Sequence, residues 1–72
     1  MENIRKMDEG IPLEKGAWKF WGEDAVISCP RCGGVRVVSG SGVGKDGVLM
    51  FSCPHWRCHF CDTVRLESWE AR

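Results

Sequence analysis

The residues of this chain with most chemistry in them are five cysteines and two histidines, and the cysteines are spaced in an ordered way. Two residues separate Cys29 from Cys32; twenty residues then intervene before Cys53, and Cys58 and Cys61 follow, again with two residues between them. Two close pairs at either end of a longer insert suit a tetrahedral metal site. Zn²⁺ takes four N or S ligands, and each pair fits one tight turn whose backbone amides can face the sulfurs. Gly33 follows the second cysteine, where the chain has to turn back. A catalytic zinc would need an open coordination position and a general base. Five sulfurs and two imidazoles make an open position hard to keep, so the expectation is one structural Zn²⁺ and no enzyme.

Five thiols compete for four positions. Cys29, Cys32 and Cys58 belong to every arrangement. Cys61 beside Cys58 repeats the spacing of the first pair, whereas Cys53 comes straight off the strand-like Phe51-Ser52 and its Pro54 repeats Pro30. Spacing favours Cys29, Cys32, Cys58 and Cys61, with Cys53 competing as fourth ligand. The unused thiol then lies close to the metal, free to exchange as a ligand or to be oxidised. His55 and His59 are near enough to ligate, but with thiolates in excess they are read as surface or packing residues.

The elements that must position these turns read as short strands. Trp18 and Phe20 share one face of a strand over 17–21; Gly22-Glu23-Asp24 is a turn, and 25–28 a strand feeding Cys29. A β-branched run, 35–38, leads into a glycine-rich loop over 39–47 that closes on Asp46-Gly47 before a strand over 48–52. That arrangement predicts a hairpin from Val35 to Ser52 that brings the second cysteine turn beside the first. Val64 and Leu66 alternate with Arg65 and Glu67, a strand with one wet face. Residues 1–16 are charged and poor in pattern, and are expected to be a flexible or partner-dependent arm before a single domain over 17–72. Ile4 and Met7 would make at most one marginal helical turn.

Seventy-two residues allow one domain, and a core this small rarely supplies more than roughly 3–5 kcal/mol by itself, which fits the need for a metal staple. Ten basic residues balance ten acidic ones. Residues 1–27 carry four basic and six acidic groups and residues 28–72 six and four, so the halves are −2 and +2. No polybasic run occurs, a weak footprint for a nucleic-acid binder. The longest apolar run, Val48–Phe51, is far short of the ~20 residues of a membrane span. With no signal-like start and an odd number of thiols, the expected compartment is a reducing cytoplasm.

The sequence Cys29-Pro30-Arg31-Cys32-Gly33, followed by strands and a second cysteine turn, resembles the zinc-ribbon superfamily over about residues 25–69. The resemblance implies a small antiparallel β zinc ribbon of three to four strands with two cysteine knuckles; it implies little about function. Trp18 and Trp21, Cys53-Pro54-His55 leading to Cys58, and the ending Val64-Arg65-Leu66-Glu67 with Trp69 make the whole similar to short zinc-ribbon proteins of phages and prophages. For such a protein the compartment would be the host cytoplasm.

Other patterns are coincidental. Gly42 to Gly47 satisfies G-x-G-x-x-G by letter, without the strand–turn–helix context of a dinucleotide site. Cys29-Pro30-Arg31-Cys32 has the form of a redox pair, but no helix begins after it to lower the thiol pKa. Trp18 and Phe20 are expected in the core and Trp56 exposed. The function expected is a small protein-interaction adaptor or regulator, of transcription or replication machinery for example. A nucleic-acid-binding module is the alternative and a thiol redox switch the second; no membrane or small-molecule substrate is expected.

Overall fold

The computed structural model describes residues 1–70, so the last two positions of the expected 17–72 domain lie outside the described residues. Six short strands form in chain order: β1 (Glu2–Lys6), β2 (Ala17–Trp21), β3 (Asp24–Ser28), β4 (Val35–Ser39), β5 (Val48–Ser52) and β6 (Cys61–Leu66). A 3₁₀ turn, Gly40–Gly42, follows β4. The strands make one curled sheet in the order β4-β3-β2-β1-β6-β5.

Side-chain alternation decides which face turns inward. In β2 and β3, Trp18 stands opposite Ile27 and Phe20 opposite Ala25; in β5 and β6, Leu49 stands opposite Val64. These residues, with Ile4, Phe51 and Leu66, are buried in one cluster. Trp69 closes the open side, its ring centroid 5.3 Å from those of both Trp18 and Phe20. The buried Trp18 indole N–H would be an orphan donor in such a core; it donates to the Glu67 carbonyl at 3.0 Å. Trp18 and Phe20 are therefore core residues, and Trp56 is exposed, as expected.

The sheet departs from the sequence reading in three places. Residues 2–6 are not an arm but the central strand, running parallel to both neighbours: Arg5 faces Ala17 on β2, and Glu2, Asn3 and Ile4 face Val64, Arg65 and Leu66 on β6. Met7 N–H to Trp18 O and Glu67 N–H to Ile4 O continue the two ladders. The sheet is consequently mixed and six-stranded rather than an antiparallel set of three or four. The expected Val35–Ser52 hairpin does not form either. Instead β4 pairs with β3 and β5 with β6, each antiparallel, so the 39–47 loop joins opposite edges of the sheet. Each hairpin has a cysteine turn at its end. Curling brings these ends together, and Arg36 on β4 donates from Nη1 to the Ser52 carbonyl of β5 at 3.3 Å.

Gly47 is fixed where loop and core meet. Its φ is 79°, its carbonyl accepts from Leu66 N–H at 2.8 Å, and a Cβ there would sit 2.6 Å from Leu66 O and 2.8 Å from Trp69 Cβ. Gly47→Ala should lower stability by at least about 2 kcal/mol, because left-handed strain and overpacking each cost about 1–3. Urea unfolding of the two proteins measures it. A midpoint unchanged within error would mean that the loop moves away from β6 at no cost.

Candidate metal centre

The first cysteine turn starts where β3 ends. Cys29 is wholly buried on the core side, its N–H donating to Gly34 O at 2.8 Å while Gly33 N–H returns to Cys29 O at 2.9 Å. Gly33 takes a φ of 80°, the left-handed residue this reversal needs. The turn aims amides at sulfur: Arg31 N–H at Cys29 Sγ and Gly34 N–H at Cys32 Sγ, both at 3.4 Å. The second turn repeats the device on the β5–β6 hairpin. The backbone amide of His55 faces Cys53, and that of Phe60 faces Cys58. Four cysteines thus share one local motif, an amide two residues on pointing back at the sulfur.

Their Sγ atoms converge, all four within 4.8 Å of one another. Cys29 and Cys58 are 3.8 Å apart, and Cys32 and Cys53 3.3 Å. A tetrahedral zinc with ~2.3 Å bonds to sulfur needs sulfurs about 3.8 Å apart; the Cys29–Cys58 pair has that separation, the Cys32–Cys53 pair is closer at 3.3 Å, and all pairs lie within 4.8 Å. Four cysteines this close can hold one metal ion. Gly34 is part of the cradle: a Cβ there would lie 3.3 Å from Cys53 Sγ and 3.4 Å from Cys32 Sγ.

The spacing argument favoured Cys61 as the fourth ligand, and the geometry brings in its competitor, Cys53. Cys61 is the first residue of β6, directly opposite Ser52 in the ladder, and its Sγ is 3.3 Å from Ser52 Oγ. Cys53, next along the hairpin, donates its N–H to Phe60 O at 3.0 Å and has its Sγ 3.3 Å from that of Cys32. His55 is exposed with its Nδ1 accepting from Arg57 N–H at 3.4 Å, and His59 is exposed; neither is among the converging donors.

Electrostatics in the metal-free cluster are uneven. The Gly34 amide, helped by the Cys53 thiol, lowers Cys32 to about 7. Burial, reinforced by Cys32, pushes Cys53 up to about 12. At Cys58 the Phe60 amide favours the thiolate, but burial together with the Cys32 and Cys29 sulfurs outweighs it and raises the pKa. Without a cation the pocket favours the Cys32 thiolate and keeps Cys53 and Cys58 protonated, burial adding to the repulsion between adjacent negative sulfurs. A divalent cation reverses that balance and favours the deprotonated set. Cations also stand nearby: Arg57 lies over Trp56 at 4.5 Å from the ring centroid and Arg31 over Phe60 at 5.8 Å.

Ser28, immediately before Cys29, has a buried Oγ with no hydrogen-bond partner. Ser28→Ala removes an unsatisfied polar atom and should be neutral or stabilise by up to about 1 kcal/mol in urea unfolding. A loss of more than that would show that the hydroxyl is satisfied in solution, by water for instance.

Comparisons with protein-family models, with curated proteins and with solved structures return no match to this chain.

Proposed function

We propose that this chain is a zinc-stapled β module of ribbon type that works by binding a protein partner, as an adaptor or regulator, and not as an enzyme. The observation that carries the reading is the convergence of Cys29, Cys32, Cys53 and Cys58 at metal-binding distance. Zinc is the ion chosen, because four thiolates at near-tetrahedral separations form a closed site of the structural kind. Such a site works in a reducing compartment, where the thiols stay unpaired. The staple joins the ends of two hairpins from opposite edges of the sheet, and so holds the curl closed. With all four positions taken by sulfur, the metal offers no open site to a substrate.

What remains for function is surface. Two tryptophans, Trp21 and Trp56, are exposed by 71% and 77%, an expensive use of the residue type most favoured at interface hot spots. Nucleic-acid binding is the second reading, favoured by Lys15, Arg31, Arg36 and Arg57 around the cysteine turns. It ranks lower because a zinc held by four thiolates carries a formal −2, and Asp62 adds another negative charge, which together offset most of those cations.

Native mass spectrometry on reduced, zinc-supplied protein tests the metal centre. One zinc per chain with four thiol protons displaced is expected. A metal-free chain whose mass is lowered by paired hydrogens would mean disulfides and overturn the reading.

A further inference from the structure

The face of the sheet turned away from the core exposes Val35, Val37 and Met50, and its largest exposed apolar side chain is Trp21. In β2 the side chains alternate, so Trp18 and Phe20 go inward while Lys19 and Trp21 go outward. Across the strands the outward row continues through Val26 on β3 to Val37 on β4, which pair directly. Trp21 stands up from this surface with a groove on each side. One, about 340 Å³, runs between the indole and Glu9, with Val26 buried in its floor. That is at the lower end of the range for ligand pockets. The other is shallower and lies between the indole, Asp24 and Val37.

The rim of the second groove is acidic, and that of the first carries one carboxylate and one amine. Glu9 borders the first, and Glu23 and Asp24 border the second. Lys19 is the cation beside the grooves, and its Nζ is turned onto backbone, donating to Ile11 O at 2.7 Å and Glu9 O at 3.4 Å. An aromatic ridge between two apolar grooves, edged by carboxylates, asks for a ligand with aliphatic side chains to straddle the ring and cations to meet the rim.

We propose that Trp21 and its two grooves bind a basic, aliphatic-rich segment of a partner protein, one apolar side chain entering on each side of the indole. The proposal rests on the protein-binding reading above and gives that reading a surface and a ligand chemistry. Charge argues against two competing occupants. A nucleic-acid backbone would meet the Glu23 and Asp24 carboxylates. A second copy of this chain in a two-fold contact would set Glu23 and Asp24 against their own counterparts. Trp56 is in the other environment, among the arginines of the cysteine turns, and would suit a ligand of opposite charge.

The test is ¹⁵N NMR titration of the zinc-loaded full chain with two capped synthetic peptides, one alternating Lys and Leu and one alternating Glu and Leu. The Lys/Leu peptide should bind saturably, with shifts centred on the Trp21 indole N–H and the amides of Val26 and Val37, and the Glu/Leu peptide should not. Trp21→Ala, at an exposed site, should weaken binding at least about tenfold with zinc content unchanged. The double variant Glu23→Lys, Asp24→Lys should reverse the preference between peptides. Shifts centred on Trp56 would overturn this surface and leave the protein-binding reading standing. Equal binding of both peptides, or none of either, would overturn the proposal outright.

Discussion

Cys53→Ser should lose the zinc and most of the native structure, while Cys61→Ser should keep both. The two residues competed in the sequence, and the structure gives them different surroundings. Cys53 Sγ faces Cys32 Sγ at 3.3 Å in the four-sulfur cluster, and Cys61 Sγ faces Ser52 Oγ from within the β6 ladder. Structural zinc contributes on the order of 10–16 kcal/mol in zinc-finger peptides, comparable to the whole stability of an ordinary domain at about 5–15. Losing one ligand should therefore appear as a loss of cooperative unfolding, read by circular dichroism alongside zinc content. If instead Cys61→Ser released the metal and Cys53→Ser retained it, the assignment of the fourth ligand would be reversed.

The same cluster gives opposite pH responses with and without metal. In the loaded chain protons compete with zinc for thiolates, so affinity should fall as pH is lowered. In the metal-free chain, Cys53 has a folded pKa near 12 against an ordinary value of 9.0, and Cys58 is raised too. A raised pKa stabilises fully below the unfolded value and is lost as pH rises through the folded one, so this contribution should fade between about 9 and 12. Cys32, lowered to about 7, acts in the other direction, and its contribution is lost as pH falls from about 9 through 7. Zinc affinity measured against pH reads the first response, and thiol titration of the chelated chain, over the native structure that it keeps, reads the second.

Ile4→Ala should cost about 2–5 kcal/mol, the range for truncating a buried aliphatic side chain, and Ile4→Asp should prevent folding. Ile4 is the one buried residue of β1, fully enclosed among Trp18, Leu66 and their neighbours, and β1 is the strand that connects the β2–β3–β4 half of the sheet to the β6–β5 half. Urea unfolding of zinc-loaded protein reads the effect. A change under about 0.5 kcal/mol would mean that residues 2–6 leave the sheet in solution and behave as the arm their composition suggests.

That contrast shows which parts of the fold could be read from sequence. The strands whose partners are close in the chain carry their own pattern: Trp18 and Phe20 alternate with Lys19, and Val64 and Leu66 with Arg65, so β2 and β6 announce a buried face. In β1, Glu-Asn-Ile-Arg-Lys buries a single side chain, and its partners on β6 are some sixty residues away. No local pattern encodes that pairing. The hairpin expected over 35–52 was drawn from a turn-forming loop between two β-rich runs, which fixes that the chain reverses but not that the runs pair. The cysteine site was legible as a set of donors and not as a choice among them. What separates Cys53 from Cys61 is the convergence of sulfurs from two hairpins, and it exists only once the sheet has curled. Charge misled in a different way: a net of zero conceals an acidic rim around Trp21 and arginines around the cysteine turns.

The two halves of the metal site sit on separate hairpins, each made of residues near one another in the chain. Cys29 and Cys32 belong to the β3–β4 hairpin, and Cys53 and Cys58 to the β5–β6 hairpin. Each can form early and present two thiols before any long-range pairing exists. An ion captured by one hairpin then searches for the other over a tether of about twenty residues, a short loop to close. β1 has both its neighbours only once β2 has paired with β3 and the closed seam has brought β6 to the other side. Metal supply would then set the order of assembly: ion first, closure of the seam second, and the first strand of the chain docked last.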